Sequence, residues 1–327
     1  MNNLCKITEN FNIQDCYKGE FSSLSSLICF DEPLSPRTTF KVGGKARFFA
    51  SPKNTEQLIL LFRFCKENSI PYFILGGGSN LVISDSGIDA LVISTENLDE
   101  ISLASGKSVS IRCGCGVTIK KLTEFCIDSA LGGLESFAGL PGTCGGAAYM
   151  NARCFNVSFS EKIQTVSYID ENFEERVYQM KESDWDYKKS PFQTMITEKK
   201  CLAITQVQLS AEKSDSEYVR TESEKYVMFR EEKGHFKFPS AGSVFKNNHD
   251  FGKPSGQLVD ECGLRSLSVG GAQVAPWHGN FIINTGKATA SDIKKLVQMV
   301  QDRVREKTGF SLECEIIFTD KKNISVC

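Results

Sequence analysis

The sequence predicts an α+β protein built in two parts, and three observations carry that prediction. The chain has 327 residues, about twice the roughly 150-residue length of an ordinary domain. Short apolar runs of strand type alternate with helical stripes, and the last third runs strand, helix, strand. Between the two parts, residues 211–224 carry Glu, Lys, Asp and Ser where the flanking segments are apolar. The expected boundaries are therefore an N-terminal segment of residues 1–36, a first domain of residues 37–210 and a second of residues 225–320.

The N-terminal segment places Glu9, Asp15 and Glu20 ahead of its apolar patch at residues 21–30, and serines interrupt that patch, which argues against a secretory leader. Leu58, Leu61, Phe62 and Cys65 fall on one face at helical spacing, so residues 55–68 form a helix that Asn54 or Thr55 caps and Pro71 ends. Residues 72–75 read as a buried strand, Gly76-Gly77-Gly78-Ser79-Asn80 as a loop at its end, and residues 81–84 as a second strand. Ile119, Leu122, Phe125 and Cys126 mark another helix, opened by Val117-Thr118 and closed by a left-handed cap at Gly132-Gly133. The densest glycine segment follows, Gly139-Leu140-Pro141-Gly142-Thr143-Cys144-Gly145-Gly146-Ala147. Strand-like runs come at residues 165–169 and 202–209, and residues 211–224 read as a linker or an exposed helix. Beyond them, Ile293, Leu296, Val297, Val300 and Val304 form one stripe behind a Thr289–Asp292 capping box. That predicts a helix of about 28 Å ending at Gly309, followed by a strand at residues 315–318.

Composition narrows the function. Lys and Arg number 38 against 40 Asp and Glu, a net charge of −2, so no broad positive field awaits nucleic acid or anionic lipid. No apolar run approaches the roughly 18 residues of a membrane helix. The thirteen cysteines lie scattered in apolar segments such as residues 61–65 and 125–126, where a free thiol packs as a small hydrophobe. A reducing cytoplasm and no disulfide framework are expected. Cys113 and Cys115 share one face of a strand but have no second pair at zinc spacing, and His235, His249 and His278 show no paired spacing, so no metal is expected.

Two glycine loops in one domain can bring many backbone N–H groups to bear on a single anion, and a diphosphate is the natural guest. Neither loop contains Lys or Arg, so the attraction would come from oriented peptide dipoles. One such loop alone would read as a tight turn; two in one domain favour the anion site. Other nucleotide motifs fail. Gly114-Cys115-Gly116 meets Ile119 where a dinucleotide fingerprint needs glycine, and Gly43-Gly44-Lys45 is followed by Ala46 and lacks the leading glycine of a P-loop.

These residues carry a resemblance. Thr38-Thr39-Phe40-Lys41-Val42-Gly43-Gly44, then Gly76 to Leu81, then Gly139 to Ala147 with Met150-Asn151-Ala152, resemble the flavin domain of the UDP-N-acetylenolpyruvoylglucosamine reductases. The match continues through Pro239-Ser240-Ala241-Gly242-Ser243-Val244-Phe245-Lys246-Asn247, Gly270-Gly271-Ala272-Gln273-Val274, His278-Gly279-Asn280-Phe281 and Leu312-Glu313-Cys314-Glu315. It is collinear from about residue 37 to 318. The resemblance implies a two-lobed FAD-binding domain of the vanillyl-alcohol-oxidase type, then a smaller α+β substrate domain. It further implies noncovalent FAD, NADPH as hydride source, and reduction of an enolpyruvyl UDP-sugar to UDP-N-acetylmuramate for peptidoglycan synthesis. By the same resemblance Thr39, Gly76, Gly77, Gly78, Ser79, Asn80, Gly139, Pro141, Gly142, Thr143, Gly145 and Gly146 hold the cofactor.

Reducing a carbon–carbon double bond with hydride needs a clamp for the developing negative charge and a proton donor, while the flavin supplies the hydride. The resemblance makes Ser243 the proton donor. A serine hydroxyl in a turn ordinarily bonds its own backbone, and it is the surrounding motif that points to catalysis. Glu315 matches the family's catalytic glutamate, in preference to Glu313 two residues earlier, because the family pattern there is Leu, variable, Pro, Glu; the proline is Cys314 here. Tyr187-Lys188-Lys189-Ser190 stands where the family carries Tyr-Arg-x-Ser, so Lys188 replaces the arginine that contacts the substrate carboxylate. Lysine keeps the charge and loses the two-pronged fork. Arg153-Cys154-Phe155 is a second departure, replacing Gly-Ala-Tyr, and Arg153 either compensates for Lys188 or is simply exposed. Tyr187, Lys246, Asn247 and Gln273 are expected on the substrate. The competing functions are an oxidase of the same flavin fold and a catalytically impaired sugar-nucleotide or flavin-binding protein.

Overall fold

The computed structural model describes residues 11–104 and 109–319; Cys5, Cys327, and the expected segments' residues 1–10 and 320 lie outside them. In the first lobe the strands Ile28–Pro33, Lys45–Ala50, Ile88–Ser94 and Tyr72–Leu75 lie side by side in that order. Lys45–Ala50 and Tyr72–Leu75 both run parallel to Ile88–Ser94. Those two strands flank Ile88–Ser94, and the helix Thr55–Glu67 makes the crossover that carries the chain from one to the other in the same direction. Its apolar face buries Leu58, Leu61, Phe62, Phe64 and Cys65, and Asn54 Oδ1 accepts from Gln57 N at 2.9 Å as the cap. The loop Gly76 to Asn80 leaves the sheet at the end of Tyr72–Leu75.

The second lobe is antiparallel, in the order Glu175–Gln179, Ile163–Asp170, Cys201–Ser210, Ser110–Gly114, Ile101–Leu103. The helix Ile119–Asp128 is capped by Thr118 and buries Ile119, Leu122 and Cys126. It does not end at Gly132-Gly133 as the sequence suggests. Ala130 takes the left-handed turn instead, at φ +52°, because its carbonyl accepts from Ser214 N at 2.9 Å and Gly132 pairs with Glu212. The chain after the helix is pinned to a distant segment, so the turn must come early.

Residues 211–224, expected as a linker or an exposed helix, run into the helix Ser216–Glu232, whose Asp215 cap accepts from Tyr218 N. That helix packs on Ile119–Asp128 and on the turn Glu135–Phe137. Val219, Ser223 and Arg230 are its buried residues, spaced on one face. In the last part, the helix Ala290–Thr308 covers the small sheet formed by Ser268–Val269, Ala272–Val274 and Ile282–Asn284, with its Thr289–Asp292 capping box and left-handed Gly309 both in place. Its stripe packs into a core that also takes Phe40, Val42 and Val82 from the first lobe. The final strand, Ile317–Thr319, pairs in parallel with Leu81–Ile83 and so belongs to the first lobe's edge, although it lies within residues 225–320. Glu315 precedes this strand rather than lying in it.

The described cysteines are free thiols. Cys113, Cys115, Cys126 and Cys144 are buried in the core, and burial pushes Cys115 and Cys126 up to about 12, which keeps them neutral. Among the described residues no group of three or more His, Cys, Asp or Glu is arranged to hold a metal ion, and no helix is long and apolar enough to cross a membrane.

Candidate active site

A cleft of about 760 Å³ runs between the two lobes and the C-terminal part, within the size range of small-molecule sites. Thr39, Gly76, Gly77, Gly78, Ser79, Asn80, Gly139, Pro141, Gly142, Thr143, Gly145 and Gly146 all line it. The two glycine loops touch: a Cβ on Gly77 would sit 2.7 Å from Gly142 Cα. Thr39 ties to the first loop, its N–H donating to Gly78 O at 3.2 Å. The amides of Gly76 to Asn80 donate to no protein acceptor among the described residues. A run of unengaged N–H groups lining a cleft, three of them from glycines, fits a diphosphate, and hence a dinucleotide cofactor.

In the same cleft, Lys188 Nζ lies 2.5 Å from Glu315 Oε1, with side chains only 12% and 13% exposed. Residues 127 apart in sequence thus form a half-sequestered ion pair. Lys188 adopts φ +57°, a left-handed conformation that a lysine holds only when its surroundings enforce it. The enforcement is visible. Asn151 Nδ2 donates to Asp186 O at 2.8 Å, Ser190 Oγ to Tyr149 O at 2.6 Å, and Gln193 Nε2 to Lys188 O at 3.2 Å. Glu315 is held as firmly: its N–H donates to Val244 O at 2.8 Å, and its carbonyl accepts from Asn80 Nδ2 at 3.0 Å. Asn80 therefore couples the first glycine loop to the glutamate. Ser243 stands next to Val244, bridged to Phe281, and lines the same cleft.

Tyr187 and Asn247 also line the cleft, and Asn247 N donates to Tyr187 OH at 3.4 Å. Lys246 and Gln273 do not. On the extended chain Phe245 and Asn247 face the cleft, so Lys246 between them faces away and pairs with exposed Glu313 at 2.5 Å. Gln273 reaches back to Ser266 O at 3.4 Å within its own small sheet. Arg153 is exposed yet also lines the cleft, its guanidinium 6.0 Å from the Tyr187 ring.

Sequence reasoning missed Arg230, and singled out Cys154 and Phe155 only as a departure from the family and His235 only as an unpaired histidine; all four line the cleft. Arg230 lay within a charged stretch; its one signal was helical spacing from Val219 and Ser223. Burial, with the Arg230 charge and His278 adding, pulls His235 down to about 4, so the ring is neutral at pH 7.

Comparisons with known proteins bear on both ends of this cleft. Residues 46–172 match the FAD binding domain family, and residues 234–319 match the family described as UDP-N-acetylenolpyruvoylglucosamine reductase, C-terminal domain. The UDP-N-acetylenolpyruvoylglucosamine reductase of Treponema denticola is 45% identical over 301 residues, covering 89% of this chain and 93% of that protein. That of Borrelia garinii is 40% identical over 287 residues, covering 88% and 91%. The crystal structure of the reductase MurB from Thermus caldophilus superposes with a TM-score of 0.72 at 30% identity, over 90% of this chain and 98% of that one.

Proposed function

The chain belongs to the UDP-N-acetylenolpyruvoylglucosamine reductase family, and from that premise we propose that its cleft carries out the family reaction with Lys188, Ser243 and Glu315 as the protein's working groups. The enzyme reduces UDP-N-acetylglucosamine-enolpyruvate to UDP-N-acetylmuramate with NADPH through noncovalent FAD, a step in peptidoglycan precursor synthesis. Residues 37–210 would hold the cofactor and residues 225–320 the UDP-sugar, in the cytoplasm.

The observation that carries the reading is the Lys188–Glu315 pair lining the same cleft as two touching glycine loops. Gly76 to Asn80 and Gly142 to Gly146 would hold the diphosphate of FAD, and the bound cofactor would supply the hydride. Lys188 holds the substrate carboxylate and stabilises the charge that develops beside it, without the bidentate fit of an arginine. Glu315 keeps Lys188 in place and, freed by the arriving carboxylate, polarises the enolpyruvyl unit. Ser243 Oγ gives the proton to the neighbouring carbon; so weak an acid serves only toward a strongly basic carbon in a site arranged to hold the alkoxide. Tyr187 and Asn247 contact the sugar nucleotide.

The test is direct. Purified protein should be yellow, NADPH should bleach it, and the enolpyruvyl UDP-sugar should restore the colour with formation of UDP-N-acetylmuramate. Colourless protein that cannot be reconstituted with FAD, or colour restored by oxygen alone with no effect of the UDP-sugar, would overturn the reading.

A further inference from the structure

The enolpyruvyl UDP-sugar carries two anionic groups, a carboxylate and a diphosphate, and the groups assigned above meet only the first. Lys188 serves the carboxylate, Tyr187 and Asn247 are neutral, and Lys246, the cation expected on the sugar nucleotide, turns away to Glu313. The open amides of the glycine loops go to the cofactor's own diphosphate. Of the arginines and lysines, Arg153, Lys188 and Arg230 line the cleft among the described residues. Lys188 is paired with Glu315, and Arg230 is buried with its Nε–H on Ala138 O. Arg153 is exposed, and neither a carboxylate nor a hydrogen-bond acceptor engages its guanidinium among the described residues. Its backbone is nonetheless firmly placed. Arg153–Cys154 pairs with Val157–Ser158, and the turn between them holds Phe155 at φ +48° and Asn156 at φ +65°, left-handed for two residues that are not glycine. The Phe155 ring fixes that turn, 4.6 Å from the Tyr226 ring and 5.3 Å from the Phe229 ring. At the root of the hairpin, Asn151 Nδ2 donates to Asp186 O at 2.8 Å and Oδ1 accepts from Ser160 N at 3.1 Å, so the hairpin is clasped to the segment carrying Tyr187 and Lys188. The Arg153 guanidinium and the Lys188 ammonium consequently each stand 6.0 Å from the Tyr187 ring, a range at which the ring holds neither tightly.

We propose that Arg153 binds the diphosphate of the UDP-sugar and sets how tightly that substrate is held, with no part in the chemical step. The proposal rests on the reductase reading above and adds a residue to its substrate site. A guanidinium offers two parallel N–H donors to two phosphate oxygens, which the lysine at 188 cannot do for its own anion. The fork missing at position 188 thus returns on a neighbouring hairpin and serves the other anionic group. The diphosphate keeps its charge while the double bond is reduced. A clamp on it therefore stabilises bound substrate and transition state alike, which lowers KM and leaves kcat in place.

The experiment uses FAD-loaded, oxidised protein as wild type, Arg153→Gln and Arg153→Lys. Two ligands are titrated calorimetrically: the enolpyruvyl UDP-sugar, and UDP-N-acetylglucosamine, which keeps the diphosphate and lacks the carboxylate. In Arg153→Gln both should bind at least about tenfold more weakly, the loss expected for one charge-assisted pair of hydrogen bonds. Arg153→Lys, with the charge but not the fork, should fall between. Stopped-flow reoxidation at saturating UDP-sugar should keep a limiting rate within about twofold of wild type, and bleaching should keep its dependence on NADPH concentration although NADPH has a diphosphate of its own. Should Arg153→Gln retain no FAD, Arg153→Met is read in its place. Weakening confined to the enolpyruvyl UDP-sugar would put Arg153 on the carboxylate, and weakening confined to NADPH would put it on the hydride donor; either result overturns the proposal. So would affinities for both sugars within about twofold of wild type, or a lower limiting rate at unchanged affinity. Wild-type protein is first bleached with NADPH and recoloured with the UDP-sugar, and its failure there would sink the reductase reading, whereas unchanged affinities in the variants sink only the role of Arg153.

Discussion

Replacing Lys188 with alanine is the most informative perturbation of the proposed catalytic corner. The pair it breaks has a 2.5 Å contact. At an effective dielectric of 20, two unit charges at that separation attract by about 7 kcal/mol, most of which offsets the desolvation of two nearly buried groups. What removal exposes is the asymmetry: Glu315 stays behind, 13% exposed and uncompensated. Breaking a buried pair from one side costs about 3–5 kcal/mol, and with some solvent access the lower end applies, roughly 3 kcal/mol. For a chain of this length that is a fall in melting temperature of about 4 °C. Loss of a preorganised charge at the reacting centre costs on the order of a hundred- to a thousandfold in rate. The assay is twofold, a thermal melt and stopped-flow reoxidation of NADPH-reduced enzyme by the enolpyruvyl UDP-sugar. Bleaching by NADPH should survive in Lys188→Ala while reoxidation by substrate collapses; Lys188→Arg should be tolerated. Adding Glu315→Gln removes the stranded carboxylate, so the double variant should regain stability without regaining activity. An alanine variant that keeps wild-type reoxidation would remove Lys188 from the mechanism, and one that melts with wild type would show the pair to be energetically idle.

Ser243→Ala should still be bleached by NADPH yet pass hydride to the enol ether roughly a hundred- to a thousandfold more slowly, and rapid reoxidation by substrate would rule the serine out. Gly77→Ala forces a methyl against Gly142 Cα and should part the two loops, so FAD dissociates during gel filtration; Gly252→Ala, where a Cβ meets nothing within 4 Å but φ is +67°, controls for backbone strain away from the loops and should retain it. Retention in both would mean that the loops need not touch to hold the cofactor. His235 titrates at about 4 when folded and near 6.5 when unfolded, so the unfolded chain takes the proton first as pH falls. The stability this contributes is complete above pH 6.5 and is lost as pH drops through about 4. The melting temperature should therefore fall less between pH 7 and pH 4.5 in His235→Phe than in wild type, and parallel curves would contradict the assignment.

What could be read from the chain without its fold is what depends on neighbours in sequence. The helices at 55–67, 119–128 and 290–308 announce themselves because stripes at 3.6-residue spacing and capping side chains act within one or two turns, and the caps at Asn54, Thr118 and Thr289 all form. The glycine loops were legible for the same reason, and the order of motifs pointed to the family. Lys188, Ser243 and Glu315 were found through those motifs, but no local rule says that Lys188 and Glu315 pair, because chain contacts 127 residues apart are set by how lobes and sheets dock. Docking also turned Lys246 away from the cleft while leaving Phe245 and Asn247 in it, moved the left-handed turn to Ala130, and returned Ile317–Thr319 to the first lobe. Above all it buried Arg230: charge alone marks a residue for the surface, and only the packing of its helix against the glycine-loop domain strips that arginine of water and aims it into the cleft.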